Sequence, residues 1–342
     1  LWSDAFHNVL TLATWEFLMK RRILLATALS CALTLGATAQ AQTKWDLPSA
    51  YPAFNFHTKN LEQFSSDVKD ISGGKLLITV HPGASLFKAP EIKRAVQGGQ
   101  AQAGEFFLVS FQNEWQLFGA DGLPFVTSSY DEAFKLYQAQ KPFLEKKLDA
   151  QNMVLLYSVA WPPQGIYSKT PINSVADLKG RKWRAYSPTT SRIGELVGAQ
   201  PTIIQEAELS QALATGVIDT LMTSSATGAD NKLYENLKYY YNVQAWFPKN
   251  AIVANKRAFN ALDKDTQAAV LKAAAEAEKR GWENSRKVDA DSIAKIKAGG
   301  ITVVEPTAQF KADLQKIGDT ILQEWTAKAG ADGKALLDAY KK

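Results

Sequence analysis

Hydrophobic positions along the chain change period in a regular way. Leu61, Phe64 and Val68 recur at helical spacing up to Gly73-Gly74, and residues 75–81 then alternate as a strand until Pro82-Gly83 breaks it. Helix, glycine and strand follow one another from there, which predicts α/β units with largely parallel strands. Residues 131–148 read as an amphipathic helix, and residues 152–159 form a nearly continuous apolar run, the mark of a buried strand. Trp161-Pro162-Pro163-Gln164-Gly165 interrupts the chain before residues 166–168 resume it, a rigid break suited to a hinge crossing. A tyrosine-rich stretch over 234–243 precedes a return strand at 251–255. The remainder is mostly helical: 268–297 is rich in Ala, Glu and Lys, with Gly281 as a kink point, and one further strand is expected at 301–304.

Two segments share the pattern E-x-x-x-A-[VL]-x-x-G, Glu91 to Gly99 and Glu208 to Gly216. Each predicts a short helix closed by glycine and leading into a strand. Convergence explains such a pair; two similar lobes, each giving a strand end to a shared cleft, explain it more sharply. The strand ends are then Glu105-Phe106-Phe107 and Met222-Thr223-Ser224-Ser225. Between the repeats, a turn ending at Gly180 is followed by a short run over 182–186, with Ser187-Pro188 as N-cap and first residue of a helix. Strand alternation sends Trp183 and Ala185 to one side, Lys182 and Arg184 to the other. Arg184 thus falls near a strand's C-terminal end, before a helix start that favours an anion, where α/β proteins commonly present a ligand site. A planar, permanently charged guanidinium there suits a carboxylate, which accepts two parallel hydrogen bonds from it. The alternative is an ordinary arginine between strands.

Composition alters this picture little, but the N-terminal stretch alters it substantially. Met19-Lys20-Arg21-Arg22, an apolar run over 23–35 and Ala39-Gln40-Ala41 spell an export signal cleaved after Ala41, with residues 1–18 upstream of the start. The run is short for a membrane span. Processing removes Cys31, the sole cysteine, so residues 42–342 carry no thiol chemistry and rely on their core. The charge of +5 falls to +4 once Lys20, Arg21 and Arg22 leave with Asp4 and Glu16, and its even spread argues against a nucleic-acid surface. His57 and His81 lack His or Cys partners at ligand spacing and read as surface or turn histidines, so no metal is expected. The sequence contains no phosphate-binding loop, dinucleotide fingerprint or Ser-His-Asp ordering, and no cofactor is expected. Trp161, Trp246, Phe247, Phe106 and Phe107 are either core or cleft wall; their grouping at strand ends and crossings favours cleft walls for some of them. Glu105 either meets a ligand hydroxyl or caps a strand end in water.

With these residues in hand, the chain resembles the extracytoplasmic solute-binding proteins (DctP type) of tripartite ATP-independent periplasmic (TRAP) transporters. The match is carried by Gly83-Ala84-Ser85-Leu86, Ile172 with Asp177-Leu178-Lys179-Gly180, Arg184 in Lys182-Trp183-Arg184-Ala185, the stretch from Ala212 through Gly216 to Asp219, and Asn255 with Phe259 and Leu262. The resemblance spans roughly residues 42–342. It implies an α/β, two-lobed periplasmic-binding-protein-like fold with a ligand cleft between lobes, crossing strands and a long hinge-spanning helix. Lobe I is expected over 42–161 plus 250–289 and lobe II over 162–249 plus 290–342. The resemblance also implies that Arg184 pairs with the carboxylate of an organic acid and that Tyr51, Phe54 and Asn55 lie where an early contact is made. A second arginine common in such proteins is missing at 162–165, where Gln164 stands instead. One fixed charge, with Ser224 and Ser225 as hydroxyls and Trp161, Trp246, Phe247 and Phe107 as walls, favours a monocarboxylate. An aromatic 2-oxo or 2-hydroxy acid is the narrower expectation.

The expected function is therefore capture of a small organic acid in the periplasm and its delivery to the membrane subunits of a TRAP transporter, by a monomer that performs no chemistry. Two other readings stay open on the sequence: a periplasmic ligand sensor for a signalling receptor, and an enzyme on an organic acid with Glu105 as its base.

Overall fold

The computed structural model describes residues 42–342. The export signal and its cleavage after Ala41 lie outside the described residues. Three elements open the fold, and the sequence patterns predict the helix and the strand after it. Strand β1 (Thr43–Pro48) pairs in parallel with β2 (Leu76–His81) across helix α1 (Phe56–Ile71), whose N-terminus is capped by the Asn55 side chain. The first repeat is helix α2 (Ala89–Gly98), closed by Gly99 at φ 79° and followed by β3 (Ala103–Phe107). Helix α3 (Tyr130–Ala150) then leads into β4 (Met153–Ala160), and the 161–163 break carries the chain to β5 (Gln164–Ser168).

Strand β6 (Lys182–Ala185), helix α4 (Pro188–Leu196) and β7 (Gln200–Ile203) follow. The second repeat is helix α5 (Leu209–Ala214) with β8 (Thr220–Ser224), continued by the short helix α6 (Ser225–Asp230) and by β9 (Tyr239–Tyr241). Strand β10 (Lys249–Asn255), helices α7 (Lys256–Asn260) and α8 (Lys264–Ala298), strand β11 (Thr302–Val304) and helix α9 (Ala308–Lys341) complete it.

The strands fall into two groups, one per lobe. In the first lobe β3, β10 and β4 form a sheet beside the β1–β2 pair; in the second the order is β11-β9-β5-β8-β6-β7. The expectation of largely parallel strands holds for β6 with β7 and β8, but β10 runs antiparallel to both β3 and β4, and β5 to both β8 and β9. The crossings explain the difference. The chain leaves the first lobe after Ala160 and re-enters at Lys249 directly opposite it, so the outgoing and incoming strands must point opposite ways. Residues 245–248 run beside 161–164, with Trp161 N–H donating to Pro248 O (2.8 Å) and Gln164 N–H to Trp246 O (3.0 Å).

Helix α8 packs on α1 and β4 of the first lobe and on α6 and β11 of the second. It runs unbroken through Gly281, where a kink was expected. A Cβ there would meet Val159 Cγ2 at 2.4 Å and Asn60 Nδ2 at 2.9 Å, so the glycine lets the helix approach the sheet closely. The backbone break lies instead in α9, at Gly330 (φ 58°, ψ −136°). Helix α9 joins the lobes: Phe310, Leu314 and Trp325 share one core with Leu117 and Leu136 on one side and Ile166 and Trp183 on the other. Among the described residues, no helix is long and apolar enough to cross a membrane.

Candidate ligand-binding site

A cavity of about 620 Å³ lies where the two sheets face each other, walled by strand ends from both lobes. On the second-lobe wall, strand alternation decides the roles as expected from the sequence. Trp183 and Ala185 enter the core, while Arg184 lines the cavity at 3% exposure. Its Nε donates to Ile204 O (3.0 Å), its Nη2 lies 4.0 Å from Glu206 Oε2, and its guanidinium stacks 5.2 Å from the Tyr186 ring centre. Its Nη1 is buried with no acceptor. Burial pulls the guanidinium's proton affinity down, opposed by the Glu206 charge, and burial raises Glu206 against the pull of Arg184. A buried cationic donor without a partner carries a desolvation cost of at least ~1–3 kcal/mol that an incoming carboxylate would relieve.

The N-terminus of α4 beside Arg184 is largely satisfied from within. Ser187 Oγ accepts from Thr190 N–H (3.1 Å), and Thr190 Oγ1 accepts from the N–H groups of Tyr186 and Ser187 (2.9 Å each). Tyr186 also donates its hydroxyl to Gln164 Oε1 (2.8 Å), which fixes the ring over Arg184.

On the first-lobe wall stands Glu105, at 1% exposure. It accepts from Ser49 Oγ (2.5 Å) and from Asn250 Nδ2 (2.8 Å). Asn250 Oδ1 in turn accepts from Trp161 Nε1 (3.0 Å) and Tyr51 Oη (3.3 Å). Burial holds the Glu105 carboxyl up at about 7, against the lowering effect of its two donors. Burial raises the proton affinity of the Tyr51 hydroxyl, helped by the charges of Glu105 and Glu206 and opposed by Asn250 and Arg184. Two contacts span the cleft: Phe107 tilts against Tyr186 with ring centres 5.5 Å apart, and Thr189 Oγ1 donates to Gln112 Oε1 (2.8 Å).

Of the residues singled out in the sequence, Arg184, Trp161, Ser224, Phe107, Glu105, Tyr51 and Gln164 line this cavity, and Phe106 reaches it from a largely core position, edge-on to Phe111 and Phe118. The Ser224 hydroxyl is already engaged, accepting from Thr227 N–H (3.1 Å). Ser225, Trp246 and Phe247 are placed outside the lining. The Ser225 hydroxyl donates to Asp289 Oδ1 on α8 (2.6 Å). Trp246 joins the core around Trp183, and Phe247 packs on Tyr130 with ring centres 4.8 Å apart. Because 245–248 is paired with 161–164, Trp161 and Pro248 take the cavity side and Trp246 and Phe247 turn into the cores.

Asn55 is spent on the α1 cap and on Asp230 Oδ2 (2.8 Å), and Phe54 is exposed and does not line this cavity. His81 pairs with Asp46 (2.7 Å) as a partly exposed residue. His57 is not a surface histidine: it is 2% exposed, its ring tilted against Trp161 with centres 4.4 Å apart, and its Nδ1 is 3.5 Å from Glu105 Oε1. Burial depresses its pKa well below the usual value, which keeps it neutral. Among the described residues no cluster of His, Cys, Asp and Glu is arranged to hold a metal ion. Sequence reasoning missed Asn250, Tyr186 and Glu206. Tyr186 was open to discovery, since it follows Arg184 at the same strand end; Asn250 meets Glu105 only through sheet pairing.

Two α/β lobes, paired crossings and a buried guanidinium in the cleft between them define a solute-binding protein. Residues 50–329 match the model of the bacterial extracellular solute-binding proteins, family 7, and the chain belongs to that family. Solved structures agree. A Bordetella pertussis extracytoplasmic solute receptor, DctP6, which binds pyroglutamic acid, superposes with a TM-score of 0.86 at 57% identity over 87% of this chain and 99% of that one. A marine metagenome TRAP solute-binding protein specific for pyroglutamate gives 0.86 at 42% identity over 88% and 99%. A monocarboxylate 2-oxoacid-binding periplasmic protein of Nostoc is 24% identical over 332 residues, 92% of this chain and 91% of the relative.

Proposed function

We propose that this protein captures a small acid bearing one carboxylate, with pyroglutamate as the first choice, and delivers it to the membrane subunits of a TRAP transporter. The observation that carries the reading is Arg184: a buried guanidinium on the cavity wall with Nη1 unpartnered. The pyroglutamate assignment draws on relatives at 57% and 42% identity that bind this compact cyclic monoacid. In this reading Arg184 grips the carboxylate, Trp161, Phe107, Tyr51 and Tyr186 pack against the ring, and Gln164 and Ser224 add polar edges. Ser225, Trp246 and Phe247 act only by holding the lobes.

Residues 42–161 with 250–289 and 162–249 with 290–342 close on the ligand as two bodies, and bound acid shifts the population toward closure. The protein is a monomer, exported with cleavage after Ala41, and releases its ligand chemically unchanged. An aromatic 2-oxo or 2-hydroxy acid is the second reading, favoured by the aromatic side chains that line the cavity with Arg184, among them Trp161, Phe107, Tyr51 and Tyr186.

A thermal-shift series of pyroglutamate, phenylglyoxylate, succinate and glutarate, with Arg184→Ala alongside, tests the proposal. A ligand at 100 times its Kd stabilises by about 2.7 kcal/mol. Pyroglutamate is expected to raise the melting temperature of the wild type and not of the variant. A response to the diacids alone defeats the monocarboxylate reading, and turnover of any of these acids defeats the binding-only reading.

A further inference from the structure

We infer that Glu206 is a specificity-determining residue: it sets an open acceptor beside the Arg184 anchor, and the pair selects an acid with an N–H or O–H group on the carbon that bears its carboxylate. The inference deepens the function proposed above and rests on it.

Local pairing fixes both groups. Arg184 Nε donates to Ile204 O (3.0 Å) and Ile204 N–H donates to Ala185 O (3.0 Å), so the segment entering Glu206 is tied to the strand end that carries Arg184. Glu206 is held from its other side by Asn231 Nδ2, which donates to Oε1 (2.7 Å) and also to Thr227 O (3.2 Å). A backbone carbonyl can only accept, so the Asn231 atom facing both partners is its NH2. One oxygen of Glu206 is thereby engaged and the other is not. Oε2 faces Arg184 Nη2 at 4.0 Å, beyond hydrogen-bond reach, and neither atom has a hydrogen bond among the described residues. Glu206 lines the cavity with 17% of its side-chain surface accessible, whereas the Glu105 side chain is fully covered.

An ion pair with nothing to admit closes to contact, as Arg192 Nη2 does on Glu324 Oε1 (2.7 Å). Arg184 and Glu206 stand apart on the cavity wall instead. A ligand carboxylate that approaches Arg184 also approaches the negative charge of Glu206, which repels it. A ligand that brings a donor to Oε2 offsets that repulsion with a charge-assisted hydrogen bond. One that brings only acceptors leaves Oε2 unpaired in a closing cleft, which buried polar sites penalise strongly. Pyroglutamate meets both groups, since its lactam nitrogen and its carboxylate share one carbon. A 2-hydroxy acid meets them too; a 2-oxo acid does not.

The test compares L-pyroglutamate with its carbocyclic analogue of matching configuration, 3-oxocyclopentanecarboxylate, in which CH2 replaces the N–H. Calorimetric titration of the wild type is expected to show the lactam at least about 100-fold tighter. In Glu206→Gln a neutral group replaces the charged acceptor, and that gap is expected to narrow at least about tenfold. Equal binding of the two ligands by the wild type overturns the inference. So does a variant in which both ligands weaken by the same factor, since Glu206 then only positions Arg184. Glu206→Ala carries the same comparison where Glu206→Gln does not fold. If pyroglutamate does not bind at all, the ligand assignment falls, and the acid that does bind decides. One without an N–H or O–H on its carboxylate-bearing carbon overturns the role of Glu206. One whose donor-deleted analogue binds at least about 100-fold more weakly sustains it.

Discussion

The two walls of the cleft are built from similar local parts and left in opposite conditions. Each presents a charged side chain near the C-terminal end of a strand, and each charge is almost completely buried. Glu105 accepts from Ser49 on one oxygen and from Asn250 on the other, and Asn250 is held in turn by Trp161 and Tyr51. Arg184 has its Nε bonded and its Nη1 open. A charge that the fold already satisfies shapes the site; a charge that the fold leaves wanting draws the ligand in. The difference also bears on closure, because an empty closed cleft keeps the desolvation cost of Arg184 that a bound carboxylate removes.

The comparison breaks most visibly at Arg184. Replacing it with alanine is expected to weaken ligand binding about 1,000-fold, near 4 kcal/mol, in calorimetric titration, because the carboxylate is left buried without its partner. Residual affinity within tenfold of wild type would place the anchor elsewhere. The opposite wall is read through pH. Burial holds the Glu105 carboxyl up at about 7, against an ordinary value of 4.5, so between those values the folded chain keeps a proton that the unfolded chain loses. Stability of the ligand-free protein should then fall as pH rises from about 4.5 to about 7, by roughly 3 kcal/mol in all. Denaturant unfolding across that range should show a steeper fall in the wild type than in Glu105→Gln, which keeps the contribution of Asp121, Glu206, Asp230 and Asp289, raised by burial in the same direction; an identical slope in both assigns it to those groups.

Asn250→Ala cuts the chain that organises Glu105, leaving the Trp161 indole and one carboxyl oxygen without partners. It is expected to cost about 2–3 kcal/mol of stability by urea titration. An unchanged stability would mean that Ser49 alone suffices to hold Glu105. The smallest effect sharpens the boundary of the site. Ser225→Ala, which removes the bond to Asp289, should lower stability by about 1 kcal/mol and leave affinity within a factor of two or three. A larger loss of affinity would return Ser225 to the ligand.

Much of the second-lobe wall was legible because its determinants are local. Strand period assigns Trp183 inward and Arg184 to the cavity, Ser187-Pro188 marks the helix start, and the paired E-x-x-x-A-[VL]-x-x-G segments mark two equivalent strand ends. The first-lobe wall was legible only in part. Glu105 stands out as a charge at an apolar strand end, yet nothing near it in sequence names Asn250, 145 residues away, or Ser49, 56 residues away, as its donors. Trp246 and Phe247 show the converse failure. Aromatic residues beside a proline at a crossing look the same in sequence whether they face a cleft or a core, and the choice depends on the neighbouring segment at 161–164. His57 was misjudged for a similar reason: polarity and a helix start argue for the surface, while Trp161 and Tyr51 close over it from other parts of the chain.

By itself the sequence determined the alternation of helices and strands, the lobe-crossing break at 161–163 and the placing of Arg184 at a strand end, since each follows from backbone geometry over a few residues. The tertiary structure decided the antiparallel course of β10, which aromatic side chains reach the cavity, and the direction of the hydrogen bonds that make Glu105 an acceptor. Those properties belong to pairs of residues brought together across 50 to 200 positions, and burial and bond direction exist only once the pair has met.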